Sequence, residues 1–415
     1  MTDLIARRTF LLQCGCFAVL AAGCAGQSPL VGQIGSGIGA GIGIGEALLK
    51  KPSFTDADEE RLAQASAQKF EAKNPIWKDP LLETYITDIQ QRMVAVAKPR
   101  PFTYRARVVR DASVNAFTFG GGLLYYHAGL IARMENEAQL AMVVGHETGH
   151  VTERHVPRGI ERAYGIQLIG QLAVTAGSVT GTLPPIPGAA LDKAYEYSMN
   201  AAINGHGRGL ETEADEVGMD YMVKAGYDPL EAPRTFEQLL KEYGDKSSVV
   251  NFFYGSHPSN VERIEKTTQL AKSKYANGSG GRRLVNTEEF KRRTREVVIA
   301  VGQLDYEGKR FNTATAMFQK AIRAYEGDPV PHYYLGKISQ ETGRGEAIDR
   351  ALGHFNDAIK ADAQYAPAYR ETGLAYYRKN ERQKAIQALE RYLALDPKAK
   401  DAAEIRKAIT ELRRY

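Results

Sequence analysis

Three residues in one short run of this chain have the types and spacing to do chemistry. They are His146, Glu147 and His150, within Val144-Gly145-His146-Glu147-Thr148-Gly149-His150-Val151. On a helix, residues four apart share a face, so two imidazoles one turn apart can reach a single zinc ion. Glu147 then sits beside the pair, placed to take a proton from a water whose acidity the metal raises. The chain has 8 His in 415 residues. The three fixed positions therefore arise by chance on the order of once per hundred such chains. The bland alternative is a helix that merely carries two histidines. It leaves unexplained why an apolar helix places two imidazoles and a carboxylate one turn apart.

The flanks predict the helix that must hold them. Asn136 with Gln139 three residues on reads as a capping box, followed by Leu140, Ala141, Val143 and Val144. Pro157 marks the expected far end. On a helix continued that far, His155 lies nine positions from His146 and points away. Glu153 and Val156 stand where an extended His-x-x-Gly-x-x-His pattern needs Gly and His. Glu153 shares the face of His146 but lies too far along the axis to join both histidines on one ion. It is left as a more distant support of the site. The third ligand has to come from elsewhere. Arg208-Gly209-Leu210-Glu211-Thr212-Glu213-Ala214-Asp215 opens a second helix, with Leu210, Ala214, Val217 and Tyr221 on its apolar face. Glu211 and Asp215 are four apart on another face. That helix can offer Glu211 to the metal and leave Asp215 to orient a ligating histidine; the alternative is a solvated acidic face.

The length exceeds what one domain usually needs, and 43% hydrophobic with 25% charged residues is ordinary for globular protein. A net charge of +5 is too mild to imply nucleic acid. All 3 Cys fall within the first 24 residues, so the body has no disulfide or cysteine chemistry. Residues 1–23 read as an export signal, with Arg7-Arg8 ahead of an apolar run to Leu20 that is too short for a comfortable membrane span. Leu20-Ala21-Ala22-Gly23-Cys24 resembles a bacterial lipobox, which makes Cys24 the acylated first residue and the membrane anchor a lipid. The Arg pair also resembles a twin-arginine signal, and Ala25 after the Cys resembles outer-membrane lipoproteins. The alternative is an ordinary cleaved signal and a soluble periplasmic protein. Residues 24–51 follow as a glycine-rich tether, or as a packing face through Gly37, Gly41 and Gly45.

Residues 52–276 are expected to form the metal-binding domain, mainly helical with a small sheet. Phe54 to Val96 recurs at helical spacing, with Trp77 in a Pro-flanked link as a core residue. Tyr104-Arg105-Ala106-Arg107-Val108 alternates like a strand, residues 115–122 read as a turn, and residues 123–127 as a second strand. A strand just before the metal helix offers an edge to an extended substrate, or is simply half of a hairpin. His127 is read as structural. Residues 165–206 are apolar and rich in Gly and Pro, expected as a helical flap, with no stretch fit to span a bilayer.

His-Glu-x-x-His followed about sixty residues later by Glu-x-x-Ala-Asp resembles the HtpX/BepA-type gluzincin metallopeptidases, relatives of the CAAX prenyl protease. Asn115-Ala116-Phe117, Gly121-Gly122, Gly129-Leu130 and Glu137-Ala138-Gln139-Leu140 match that family's approach to the site, in order. Gly120 replaces the usual Pro before the Gly pair. The likeness covers roughly residues 54–270. It implies His146, His150 and Glu211 as ligands of one zinc per chain and Glu147 as the catalytic base. His257-Pro258 with Arg263 also matches the family. His257 is expected near the metal, occupying its open position in a latent state or donating to the transition state, a role shared with Arg208 or Arg263.

Residues 277–285 read as a linker and 286–415 as a tetratricopeptide (TPR) solenoid. Ala351, Phe355 and Ile359 recur 34 positions on as Ala385, Leu389 and Leu393, and Ala314, Phe318 and Ile322 precede them by 37. Such units stack and present a concave face to a peptide or protein. Together with the resemblance, these features imply a zinc endopeptidase of the bacterial envelope. Its expected partners are unfolded or misassembled envelope proteins, outer-membrane assembly machinery met through the repeats, and a membrane met through the lipid. The alternative is a chaperone or adaptor with latent proteolysis.

Overall fold

The computed structural model describes residues 54–172, 188–243, 260–276, 283–325, 327–343 and 346–414. The chain divides into two compact units, 1–51 and 52–415, and the second is described below. The export signal, Cys24, the glycine-rich tether and His257 lie outside the described residues.

Helix α1 (Asp56–Glu71) starts at Thr55, whose hydroxyl accepts from the Asp58 N–H while the Asp58 carboxylate accepts from the Thr55 N–H. Helix α2 (Pro80–Val94) is capped by Asp79. The link between them carries Trp77, which is partly buried against the main core. A three-stranded sheet follows, of β1 (Arg105–Val109), β2 (Ala116–Gly120) and β3 (Leu123–His127), in the order β1-β3-β2. β1 runs parallel to β3, and β2 antiparallel. The expected turn over 115–122 is thus too long. Phe117 and Phe119 pack with Phe70 and Tyr125, and that burial extends residues 116–120 into a strand. Only Gly121-Gly122 turn, and with Gly120 at the end of β2 they all take a positive φ, which glycine adopts without a Cβ penalty. The strand just before the metal helix, β3, is the central one. The edge strand in contact with that helix is β2.

After the short α3 (Ala128–Arg133) comes α4 (Glu137–Thr152), the central helix, with every residue buried. Asn136 caps it by accepting from the Gln139 N–H at 2.9 Å. The reciprocal arm of the expected box differs, because the Gln139 amide oxygen accepts from the Glu135 N–H instead. The helix also ends before Pro157. Arg154 takes a left-handed φ of 58° and turns the chain, and Pro157 falls in the first turn of α5 (His155–Leu172). A left-handed residue closes a helix by freeing the chain to leave its axis.

α5 is interrupted at Gly165, and α6 (Gly188–Asn204) packs on α1 and α5 through Ala190 and Ala194 and on β2 through Tyr195, Met199 and Ala202. Then come α7 (Arg208–Lys224), α8 (Glu231–Tyr243) and α9 (Asn260–Lys272). Among the described residues, no helix is long and apolar enough to cross a membrane. Residues 283–285 lie along the chain at 226–228, with the Leu284 N–H donating to the Gly226 carbonyl.

The remaining helices stack in antiparallel pairs: α10 (Thr287–Glu307) with α11 (Phe311–Ala324), α12 (Pro329–Thr342) with α13 (Ala347–Ala361), and α14 (Ala366–Arg378) with α15 (Arg382–Leu395). α16 (Ala402–Arg414) covers the last pair. In each pair a glycine of the first helix faces a large residue of the second: Gly302 on Phe318, Gly336 on Phe355, Gly373 on Leu389. The partners are sixteen positions apart in the first and third pairs and nineteen in the second, so the three extra residues fall between Gly336 and Phe355, one each in α12, the connection and α13. The first pair also belongs to the main core. Phe290, Val297, Val298 and Val301 of α10 and Met317 of α11 share one apolar cluster with α2, β1, β3 and α4.

Candidate metal centre

Helices α4 and α7 cross where both chains are thin. A Cβ on Gly145 would stand 2.5 Å from the Gly218 carbonyl oxygen, and one on Gly218 would stand 2.5 Å from the His146 nitrogen. Contact between the two backbones brings the acidic face of α7 onto the histidines of α4. His146 Nε2 and His150 Nε2 stand 3.0 Å apart. Glu211 Oε2 lies 3.4 Å from the first and 3.7 Å from the second, and all three residues are buried. Zinc bonds of about 2.0–2.1 Å in a tetrahedron place neighbouring donors about 3.3 Å apart. Two imidazoles and one carboxylate at these separations fit zinc, and His146, His150 and Glu211 are the residues that would hold it.

Each ligand is held from behind. Asp215 accepts from His146 Nδ1 at 2.8 Å, which fixes that proton and points the Nε2 lone pair at the metal position. Arg263 grips both oxygens of Asp215, at 2.8 and 2.5 Å, with its guanidinium over the Phe236 ring. Burial alone would raise the Asp215 carboxyl; Arg263 and His146 outweigh it and hold the group well below the usual carboxylate range. Glu211 Oε1 accepts from the His206 N–H at 2.6 Å.

The support of His150 differs from the sequence expectation. Because the chain turns at Arg154, His155 does not point away. Its Nδ1 meets His150 Nδ1 at 2.8 Å and its Nε2 lies 3.3 Å from Glu213. His155 is buried, and burial and the neighbouring His150 push its pKa down, so it stays neutral. The tautomers that complete this chain have His150 donating to His155 and His155 donating to Glu213, leaving His150 Nε2 for the metal. The His206 ring lies 4.5 Å from that of His150, between centroids. Neither His155 nor His206 was assigned to the site from sequence. The only signal for His206 is its place just ahead of Gly207, where the chain enters α7.

Glu147 is buried beside the ligands, and burial pushes its carboxyl up to about 7, against the pull of His146. Arg208 is exposed in the first turn of α7. Glu153 turns outward, 3.4 Å from Lys98, and takes no part in the site. His127 is buried elsewhere, on Ser113 at 2.8 Å, as a structural residue.

Comparison with known proteins agrees with this geometry. Residues 80–271 match the model of peptidase family M48. A protein of Vibrio cholerae serotype O1 is 34% identical over 202 residues, covering 48% of this chain and 41% of its own length. The beta-barrel assembly-enhancing protease of Escherichia coli (strain K12) is 28% identical over 194 residues, covering 44% of this chain and 38% of that protein. The metalloprotease LoiP of the same organism is 29% identical over 218 residues, 51% of this chain and 80% of that protein. The chain thus spans about four tenths of the length of the first two relatives. Among solved structures, a TPR protein with an unusual peptide-binding site aligns with 46% of this chain and 89% of that one, at 15% identity and a TM-score of 0.24.

Proposed function

We propose that this chain, whose residues 80–271 form an M48-type metallopeptidase domain, is a zinc-dependent endopeptidase of the bacterial cell envelope. We propose further that it degrades misfolded or stalled outer-membrane and periplasmic proteins. The observation that carries the reading is the buried convergence of His146, His150 and Glu211 with Glu147 beside them.

Zinc held by these three residues supplies Lewis acidity to a peptide carbonyl and makes water a better proton donor. Glu147, with its carboxyl near 7, takes the proton of the attacking water and hands it to the leaving amine nitrogen. Asp215 and Arg263 keep His146 in one tautomer, and His155 does the same for His150. An extended substrate pairs along β2, the edge strand beside α4. Arg208 and His257 remain our candidates for stabilising the developing oxyanion or gating the metal.

The domain reading stays as proposed from sequence: a signal over 1–23, a lipidated Cys24 with its tether to 51, the peptidase over 52–276, and TPR repeats over 286–415. We assign the repeats to recruitment of clients or of outer-membrane assembly machinery, and the lipid to the outer membrane. The names of the beta-barrel assembly-enhancing relatives support that assignment.

Casein hydrolysis by the purified chain, with and without a chelator, tests the activity. Cleavage should require zinc and vanish in Glu147→Gln. Zinc bound at the site with equal cleavage by Glu147→Gln would overturn it.

A further inference from the structure

We propose that His332, His354 and Asp357 form a second metal site, for a divalent transition ion such as zinc, on the α12–α13 pair. His332 stands in the first turns of α12, while His354 and Asp357 are three apart on α13 and share a face. Each can bring one ligand atom to within 4.8 Å of the other two. Two imidazole nitrogens and one carboxylate oxygen make a donor set suited to zinc, with water completing four-coordination.

The chemistry around the cluster favours a cation. Both imidazoles are half-buried, which limits the competition of bulk water for their ring nitrogens. His332 Nδ1 is buried and has no hydrogen-bond partner among the described residues. Asp357 accepts from Lys360 at 2.9 Å, but that lysine is 77% exposed and the pair is easily displaced. Asp328, which caps α12, adds negative charge toward His332 and is itself paired with Arg295.

The placement gives the ion a task. His332 stands near the start of α12 and His354 and Asp357 in the second half of α13, so the site lies at the end of this pair away from the connection between its helices. A metal bridging the two helices there pins the end of the pair that the connecting chain does not hold. The site is half-exposed where the catalytic one is buried, so its ion exchanges freely with solvent. It is also independent of the peptidase reading, because no residue is shared.

The test is zinc stoichiometry and hydrogen exchange on the purified full chain, stripped with a chelator and titrated with zinc alone. Wild type should bind two ions per chain. His354→Ala and Asp357→Asn should each bind one, His146→Ala one, and His146→Ala with His354→Ala none. Zinc should slow amide exchange over residues 329–361 in wild type and not in His354→Ala. Unchanged circular dichroism and melting of the metal-free forms would show that the variants fold. Equal stoichiometry in wild type and both α13 variants, with no zinc effect on exchange over 329–361, would overturn the proposal. So would a single wild-type ion that disappears in His146→Ala. Loss in His146→Ala speaks to the catalytic centre and loss in His354→Ala to this one, so the two readings fail separately.

Discussion

Asp215 has little freedom, since Arg263 holds both of its oxygens and His146 donates to one. Asp215→Asn keeps the shape and removes the charge that fixes the His146 tautomer. Zinc affinity should fall about 10- to 100-fold, measured by competition with a chromogenic chelator. His155→Ala should weaken zinc in the same range, because His150 loses the acceptor that sets its Nδ1 proton. A residue away from the metal gives a pH prediction. Burial pushes His127 down to about 4 in the native state, while the unfolded value is about 6.5. Between those values the unfolded chain binds a proton that the native chain refuses. The contribution is therefore fully present above about pH 6.5 and is lost as pH falls toward 4, by up to about 3 kcal/mol. Urea midpoints at pH 7 and pH 5 should differ more in wild type than in His127→Asn. His146, His150, Glu211 and Asp215 were legible in the sequence because their four-residue spacing falls along regular helices, while Arg263 entered only through the family resemblance. His155 and His206 were not. A helical wheel carried past residue 152 cannot foresee the reversal at Arg154 that brings His155 back onto His150.

The crossing of α4 and α7 is a device of elements. Gly145 and Gly149 on one helix face Ala214 and Gly218 on the other, and no larger side chain fits at the tightest point. Gly218→Val should force the helices apart, cost about 1–3 kcal/mol in stability and abolish zinc retention; Gly209→Ala, with open space around it, should change neither. Melting temperature and bound zinc per chain check both. Gly145 and Gly149, like Ala214 and Gly218, stand four apart in the sequence, but the use of that spacing depends on which helix arrives opposite. The sheet shows the same limit. Phe117 and Phe119 read as part of a turn because of the glycines beside them, and only packing against Phe70 and Tyr125 makes 116–120 a strand.

At the scale of the molecule, the peptidase part and the first helix pair share one core. Buried Glu137, at the start of α4, accepts from Tyr85, Arg92, Tyr227 and the capping residue of α10, Asn286. Glu137→Ala should lower stability by about 3 kcal/mol or more, since it strands several buried donors at once. Calorimetry would show the loss in the main transition. A chain ended at residue 276 should aggregate on expression, stripped of Phe290, Val297 and Val301, whereas one ended at 324 should keep its zinc. The 34-residue period announced the helix pairs, but no periodicity reports that the first pair faces the enzyme as well as its own neighbour. That double allegiance has a consequence for how the array can change length. Among the described residues, the main packing of each helix pair beyond α11 is against the pairs beside it, and α16 closes the row. Further units spliced in ahead of α16 would extend the reach of the arm while every contact of the catalytic body stayed as it is; the near end is welded and the far end is open to growth.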